Sequence, residues 1–226
     1  IINPVMERSA LGVEINPLAR LITKVKITPI DCGEIENLMT KLHKLYSQLT
    51  VERDTIPQFK NINLWFSKNA IKGLARLKYS IEFLDAPVDY KDFFWVCFSS
   101  IIRKVSKADP YIPPPVLLKP EKYKSNLYKY RKLVDFLSQA EKPNVWALFE
   151  KAVKSNIEKL AILNNFRNIA SQKVEAAIIW DDARHIKRGQ MSERGRLNKS
   201  SAEIFPSQSV DIIFTSPPYL TAQKYI

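Results

Sequence analysis

From about residue 31 to residue 170, apolar side chains recur every three or four positions, and a chain with that spacing folds as packed helices rather than as a sheet. Ile35, Leu38, Leu42, Leu45 and Leu49 form one stripe, and Ile71, Leu74, Leu77, Ile81 and Leu84 a second. Phe94, Cys97, Phe98, Ile101 and Val105 form a third. Val145, Leu148, Phe149, Ala152, Val153, Ile157 and Leu160 form a fourth. Each predicts a helix with one face in a shared core. The aromatic run from Phe93 to Phe98 reads as core, and Leu64-Trp65-Phe66 as an apolar anchor between helices.

Residues 109–120 (DPYIPPPVLLKP) hold five prolines and predict a stiff, extended connector. A basic helix follows, bearing Tyr123, Lys124, Tyr128, Lys129, Tyr130, Arg131 and Lys132. It has two readings, a surface that grips phosphates and stacks on bases or a solvated amphipathic face. Arg103, Lys104 and Lys107 suit the carboxyl end of a helix.

The ends of the chain differ from this middle. Residues 9–15 (SALGVEI) read as a strand closing on an acid, Glu14. Asn16 then serves as N-cap and Pro17 as the first helical residue. Leu18, Leu21, Ile22 and Val25 continue at helical spacing until Thr28-Pro29. Residues 176–180 (AAIIW) predict a second, buried strand with Asp181-Asp182 at its end, and residues 191–201 a polar loop. Residues 210–215 (VDIIFT) predict a further strand, which runs straight into Ser216-Pro217-Pro218-Tyr219. Strands with distinctive carboxyl ends suit an open α/β sheet, where ligands bind at those ends.

Composition narrows the function. Hydrophobic residues make up 46% and charged residues 26% of 226, enough for one sizeable α/β domain or a small domain with an insertion. A net charge of +12 favours a polyanionic partner, of which nucleic acid is the commonest. Cys32 and Cys97 form no CxxC pair, and His43 and His185 have no partner at ligand spacing, so no metal site is expected. No apolar run is long enough for a bilayer, and the start has no secretory pattern, so a cytoplasmic protein is expected.

The segment of residues 215–219 (TSPPY) carries the most specific chemistry. Pro217 and Pro218 have fixed φ and no N–H, and Ser216, preceding a proline, is held extended. The corner presents a hydroxyl, carbonyls free of competing donors, and an aromatic ring. An exocyclic base amine needs such acceptors, and a flipped base needs a ring to stack on. Taken alone, SPPY could equally be an ordinary turn, Glu14 a solvated strand-end acid and Asp182 a helix cap. Together at predicted strand ends they favour a site.

This pattern resembles the DNA amino-methyltransferases, whose (Asp/Asn/Ser)-Pro-Pro-(Tyr/Phe/Trp) tetrapeptide follows a strand. Residues 12–26 (GVEINPLARLITKVK) are similar to the family's second strand and helix, and WDDAR stands where the family has Gly-Asp-Ala. NLWFSKNAIKGLARL and FSSIIRKVSKADPYIP are similar to the insertion of one bacterial branch. The resemblance implies a Rossmann-like α/β core that binds S-adenosylmethionine, interrupted by a large helical insertion. The core pieces are residues 1–30 and 171–226 and the insertion is 31–170, with a DNA-contacting role expected of it from charge and size. Implied catalytic residues are Ser216, Pro217, Pro218 and Tyr219. Implied cofactor contacts are Asn3, Pro4, Glu14 (to the ribose hydroxyls), Ile15, Asn16, Asp182 (to the adenine amine), Ala183 and Thr215. The family's Asp-Pro-Phe-x-Gly-x-Gly turn is reduced here to Ile2-Asn3-Pro4-Val5, with Asn3 for the usual Asp and no glycines after it. Residues are therefore expected to be absent between Val5 and Met6, and the resemblance implies later strands beyond Tyr219 as well. Asp181 stands in place of a Gly.

The implied reaction is direct methyl transfer to the N4 amine of cytosine in double-stranded DNA, by in-line attack of a flipped amine. No covalent cysteine is needed. Adenine N6, an RNA substrate, or an inactive nucleic-acid-binding subunit are the alternatives. A restriction or defence-system partner fits the same resemblance.

Overall fold

The computed structural model describes residues 10–50, 56–57, 59–112, 115–164, 176–179 and 211–215. Strand β1 (Ala10–Val13) leads into helix α1 (Pro17–Ile27). Six more helices follow: α2 (Cys32–Gln48), the single turn α3 (Ile62–Trp65), α4 (Lys68–Phe83), α5 (Val88–Ile102), α6 (Leu127–Glu141) and α7 (Val145–Asn164). Strand β2 (Ala176–Ile179) pairs in parallel with β1, with Ala10 opposite Ala176 and Val13 opposite Ile179.

Capping chemistry sets several of these starts. The side chains of Asp31, Ser67 and Asn126 accept backbone N–H bonds at the starts of α2, α4 and α6. The Ser67 hydroxyl also donates to the Ala140 carbonyl at 2.8 Å, tying α4 to the end of α6.

Helix α5 organises the core. It packs against α1, α4 and α7, and its apolar residues are not confined to one narrow stripe. Phe93, Phe94, Cys97 and Ile101 are sealed from solvent, and Phe149 of α7 packs on Phe94 with ring centroids 6.1 Å apart. The stripes drawn from sequence meet here: Ile35, Leu38 and Leu42 of α2, Leu77 and Ile81 of α4, and Val145, Phe149 and Val153 of α7 are all buried in one cluster. Trp95 and Phe98 stay half-buried at its edge.

Three expectations change. The Leu64-Trp65-Phe66 anchor is only partly inside, because a single helical turn has one inward face; Leu64 is exposed and Phe66 packs on the core. The proline-rich connector does not run straight. It doubles back, with an antiparallel bridge between Ala108 and Leu117 and backbone bonds from Asp109 N to the Val116 carbonyl (2.8 Å) and from Leu118 N to the Lys107 carbonyl (2.9 Å). Prolines stiffen each step but do not set the direction of the loop, and the buried carboxylate of Asp109 closes it by accepting Tyr111 N–H at 2.9 Å.

The third change concerns the strand expected at 210–215. Residues 211–215 form a bend and irregular backbone, with Ile213 81% and Phe214 83% exposed. An apolar run becomes a strand only by gaining a ladder neighbour, and the sheet among the described residues holds β1 and β2 alone. No helix among the described residues is long and apolar enough to cross a membrane.

Candidate functional site

The carboxyl end of the parallel pair is where strand geometry brings distant sequence together. Gly12 in β1 lies against Ile178 of β2 so closely that an added Cβ would sit 3.0 Å from Ile178 Cδ1. The two strands end level, with Val13 beside Ile179.

From Val13 the chain turns at once into α1 through Glu14, Ile15 and Asn16. The Glu14 carboxylate accepts the Asn16 N–H through Oε1 at 2.8 Å. Asn16 Oδ1 in turn accepts from Leu18 N (2.9 Å) and Ala19 N (3.2 Å), and the Asn16 carbonyl accepts from Arg20 N (2.9 Å). The N-cap expected from sequence is therefore present, with Pro17 in the first turn. Glu14 is half-buried and its second oxygen, Oε2, has no hydrogen bond to another described residue. Ile15 beside it is 61% exposed. The turn thus offers a fixed carboxylate oxygen, able to accept from a pair of hydroxyls, next to an apolar surface that suits a flat ring.

Thr215 is exposed on the irregular segment after residue 211. The remaining expected site residues, Asn3, Pro4, Asp182, Ala183, Ser216, Pro217, Pro218 and Tyr219, lie outside the described residues. Of the expected set, the structure brings together Glu14, Ile15 and Asn16.

Thiol and metal chemistry find no support among the described residues. No group of His, Cys, Asp and Glu there could hold a metal ion. Both cysteines are free. Burial pushes the Cys97 thiol up to about 12, against a smaller opposing effect of its hydrogen bond from Asn156. Burial also raises Cys32, aided by the nearby Asp31 and Glu36 carboxylates. His43 is exposed and stacks on Trp146 with centroids 4.6 Å apart, a surface role.

Sequence reasoning missed a polar hub around Asp109, which is 2% exposed. Its Oδ2 accepts the Tyr123 hydroxyl at 2.6 Å. Arg103 Nη2 donates to the carbonyls of Asp109 (2.6 Å) and Ile112 (2.7 Å), so Arg103 secures the loop rather than merely ending a helix. Lys107 pairs with Glu141 at 2.6 Å. The signal was the Asp-Pro-Tyr sequence, since an Asp before a proline commonly bonds the backbone two residues on.

Comparison with known proteins gives one informative match. The chain is similar to a type II methyltransferase. The relative is type II methyltransferase M.MvaI of Kocuria varians, 26% identical over 220 residues. The match covers 92% of this chain and 41% of that protein. The chain thus spans less than half the length of the curated relative it matches. No family model matches the chain, and no solved structure matches it significantly.

Proposed function

We propose that this chain is part of an S-adenosylmethionine-dependent DNA methyltransferase that modifies the N4 amine of cytosine in double-stranded DNA. The observation that carries the reading is the similarity to a type II methyltransferase over most of the chain. The Ser216-Pro217-Pro218-Tyr219 corner adds to it, because its acceptors and ring match a flipped base amine. The core is then a Rossmann-like sheet formed from residues 1–30 and 171–226, with residues 31–170 inserted. The parallel β1–β2 pair is the part of that arrangement on which the reading leans.

The β1–α1 turn fits the cofactor. Glu14 Oε2 is available to ribose hydroxyls, Ile15 offers an apolar face to the adenine, and Asn16 fixes the turn by capping α1. Asn3, Pro4, Asp182, Ala183 and Thr215 complete the proposed contacts. S-adenosylmethionine bound there supplies an electrophilic methyl group. Ser216 Oγ and the Pro217 carbonyl accept the hydrogens of the target amine and keep its lone pair directed outward. Pro218 holds the corner rigid, and Tyr219 stacks on the flipped base.

The test is incubation of the intact natural protein with duplex DNA and methyl-labelled S-adenosylmethionine, followed by nucleoside digestion and mass spectrometry. The expected product is N4-methylcytosine, lost in Ser216→Ala. N6-methyladenine would retain the reaction and change the base. Absence of label on DNA from wild type and variant alike would overturn the proposal.

A further inference from the structure

Residues 119–132 carry six cations, Lys119, Lys122, Lys124, Lys129, Arg131 and Lys132, against one acid, Glu121. Five of the six cations are exposed and Lys129 is half-buried. No ion pair between any of these six and a carboxylate is shown among the described residues, whereas Lys24–Asp92, Lys78–Glu82, Lys107–Glu141 and Lys154–Glu150 are paired. Glu141, farther along α6, is thus already taken by Lys107, and Asp135 is the other acid on that helix.

This surface is rigid before any partner arrives. The buried Asp109 carboxylate holds the Tyr123 hydroxyl and the Tyr111 N–H, and Arg103 fixes the same loop through two carbonyls. Asn126 caps α6 by accepting Lys129 N–H at 2.9 Å. The Lys129 ammonium sits between two rings, 4.4 Å from the centroid of Tyr111 and 4.1 Å from that of Tyr123. Lys132 lies 4.6 Å from the ring of Tyr128, which is 70% exposed. Cations presented on a fixed frame lose less conformational freedom on binding than cations on a loose tail.

The placement of those ammonium groups discriminates between nucleic-acid partners. A platform for single strands needs open ring faces on which bases stack. Here an ammonium group covers one face of Tyr111, Tyr123 and Tyr128. Lys119, Lys122, Lys124 and Arg131 are exposed with neither a ring nor a carboxylate partner shown among the described residues, which suits a phosphate-binding array.

We propose that the surface of residues 119–132 is where the helical region grips the sugar-phosphate backbone of duplex DNA. The choice of duplex DNA rests on the methyltransferase reading; the presence of a phosphate-binding surface does not.

The experiment measures binding of the full natural chain to a duplex oligonucleotide by fluorescence anisotropy over a range of salt. It compares wild type with Lys122→Ala/Lys124→Ala/Arg131→Ala/Lys132→Ala and with a charge-matched control, Lys41→Ala/Lys44→Ala/Lys72→Ala/Lys151→Ala, on exposed sites elsewhere. If each of the four cations meets a phosphate, the slope of log affinity against log salt falls by about 3 to 4, and affinity at about 0.1 M salt falls roughly tenfold or more. The control should retain the wild-type slope. Lys122→Glu alone, a single exposed change, should shift affinity in the same direction and guards against misfolding of the fourfold variant. Equal slopes for wild type and the fourfold variant, an equal loss in the control, no duplex binding by wild type, or stronger competition by single-stranded RNA would each overturn the proposal. S-adenosylmethionine binding is measured in parallel. Loss of duplex affinity in the fourfold variant of a protein that binds no S-adenosylmethionine would leave the surface standing and remove the methyltransferase reading.

Discussion

Gly73 stands in the middle of α4 where that helix meets the first residue of α7. A methyl group added there would lie 2.6 Å from Val145 Cγ2 and 3.0 Å from Val145 Cβ, with the Tyr46 hydroxyl 3.7 Å away. Two effects compete in Gly73→Ala. Within a helix the change from Gly to Ala gains about 1 kcal/mol. Crowding a packed core costs about 1–3 kcal/mol. Val145 is 2% exposed and branched at Cβ, so it has little freedom to rotate away and the larger cost applies. The net expectation is a loss of about 1 kcal/mol, a fall in melting temperature of about 2–4 °C for a chain of this size. Val145→Ala alone removes two buried methyl groups and costs about 2 kcal/mol. In that background the clash with Cγ2 is gone and only the 3.0 Å approach to the remaining Cβ opposes the helical gain, so Gly73→Ala should be close to neutral. The coupling between the two sites is then about 1 kcal/mol, above the roughly 0.3–0.5 kcal/mol scatter of independent sites. Urea denaturation followed by circular dichroism reads all four corners of the cycle. A Gly73→Ala protein more stable than wild type, or effects that simply add, would refute the close helix approach on which the reasoning depends.

Three further outcomes are expected. Glu14→Gln keeps an oxygen for the Asn16 N–H but removes the charge, so S-adenosylmethionine binding measured by calorimetry should weaken by roughly tenfold or more, with the melting temperature little changed. The Tyr123 hydroxyl is held above its usual 10.0 first by its hydrogen bond to Asp109, so the proton is bound more tightly in the folded state. Its contribution is complete below pH 10.0 and is lost as pH rises through the higher folded value, and the alkaline fall in melting temperature should be smaller in Tyr123→Phe. With the Cys97 thiol near 12, about one part in 100,000 is thiolate at neutral pH; timed iodoacetamide labelling with peptide mapping should find Cys32, which is partly exposed, modified well before Cys97.

The helical stripes were legible because burial acts on the same period as the sequence. Ile35, Leu38 and Leu42 fall on one side of α2, and Asn16 announces α1 through bonds made within three residues. Helix α5 was legible as core from its aromatic content, although its apolar residues define no single face. What escaped were contacts made across sequence. Nothing local in Pro110 or Pro115 says that the loop returns to Lys107, and nothing near Tyr123 says that its hydroxyl reaches Asp109. The Tyr/Lys segment could be seen as basic and aromatic, yet the choice between stacking platform and phosphate array depended on where Lys129 points, between two rings supplied by different stretches of chain. Residues 211–215 show the converse limit, since an apolar run specifies a strand only in the presence of a neighbour.

The parallel pairing of β1 with β2 constrains the proposed site more than any side chain in it. Antiparallel strands can be joined by a tight turn, whereas parallel strands require a crossover, and here the crossover contains the seven α-helices of the described residues. Of that crossover, α1 packs directly on β2. The register in turn sets Ile179 level with Val13, beside the turn that fixes Glu14. A carboxylate at that edge, held by its own backbone rather than by the helical region, is the arrangement the proposed cofactor site needs if the proposed DNA-binding surface is to lie on the helices.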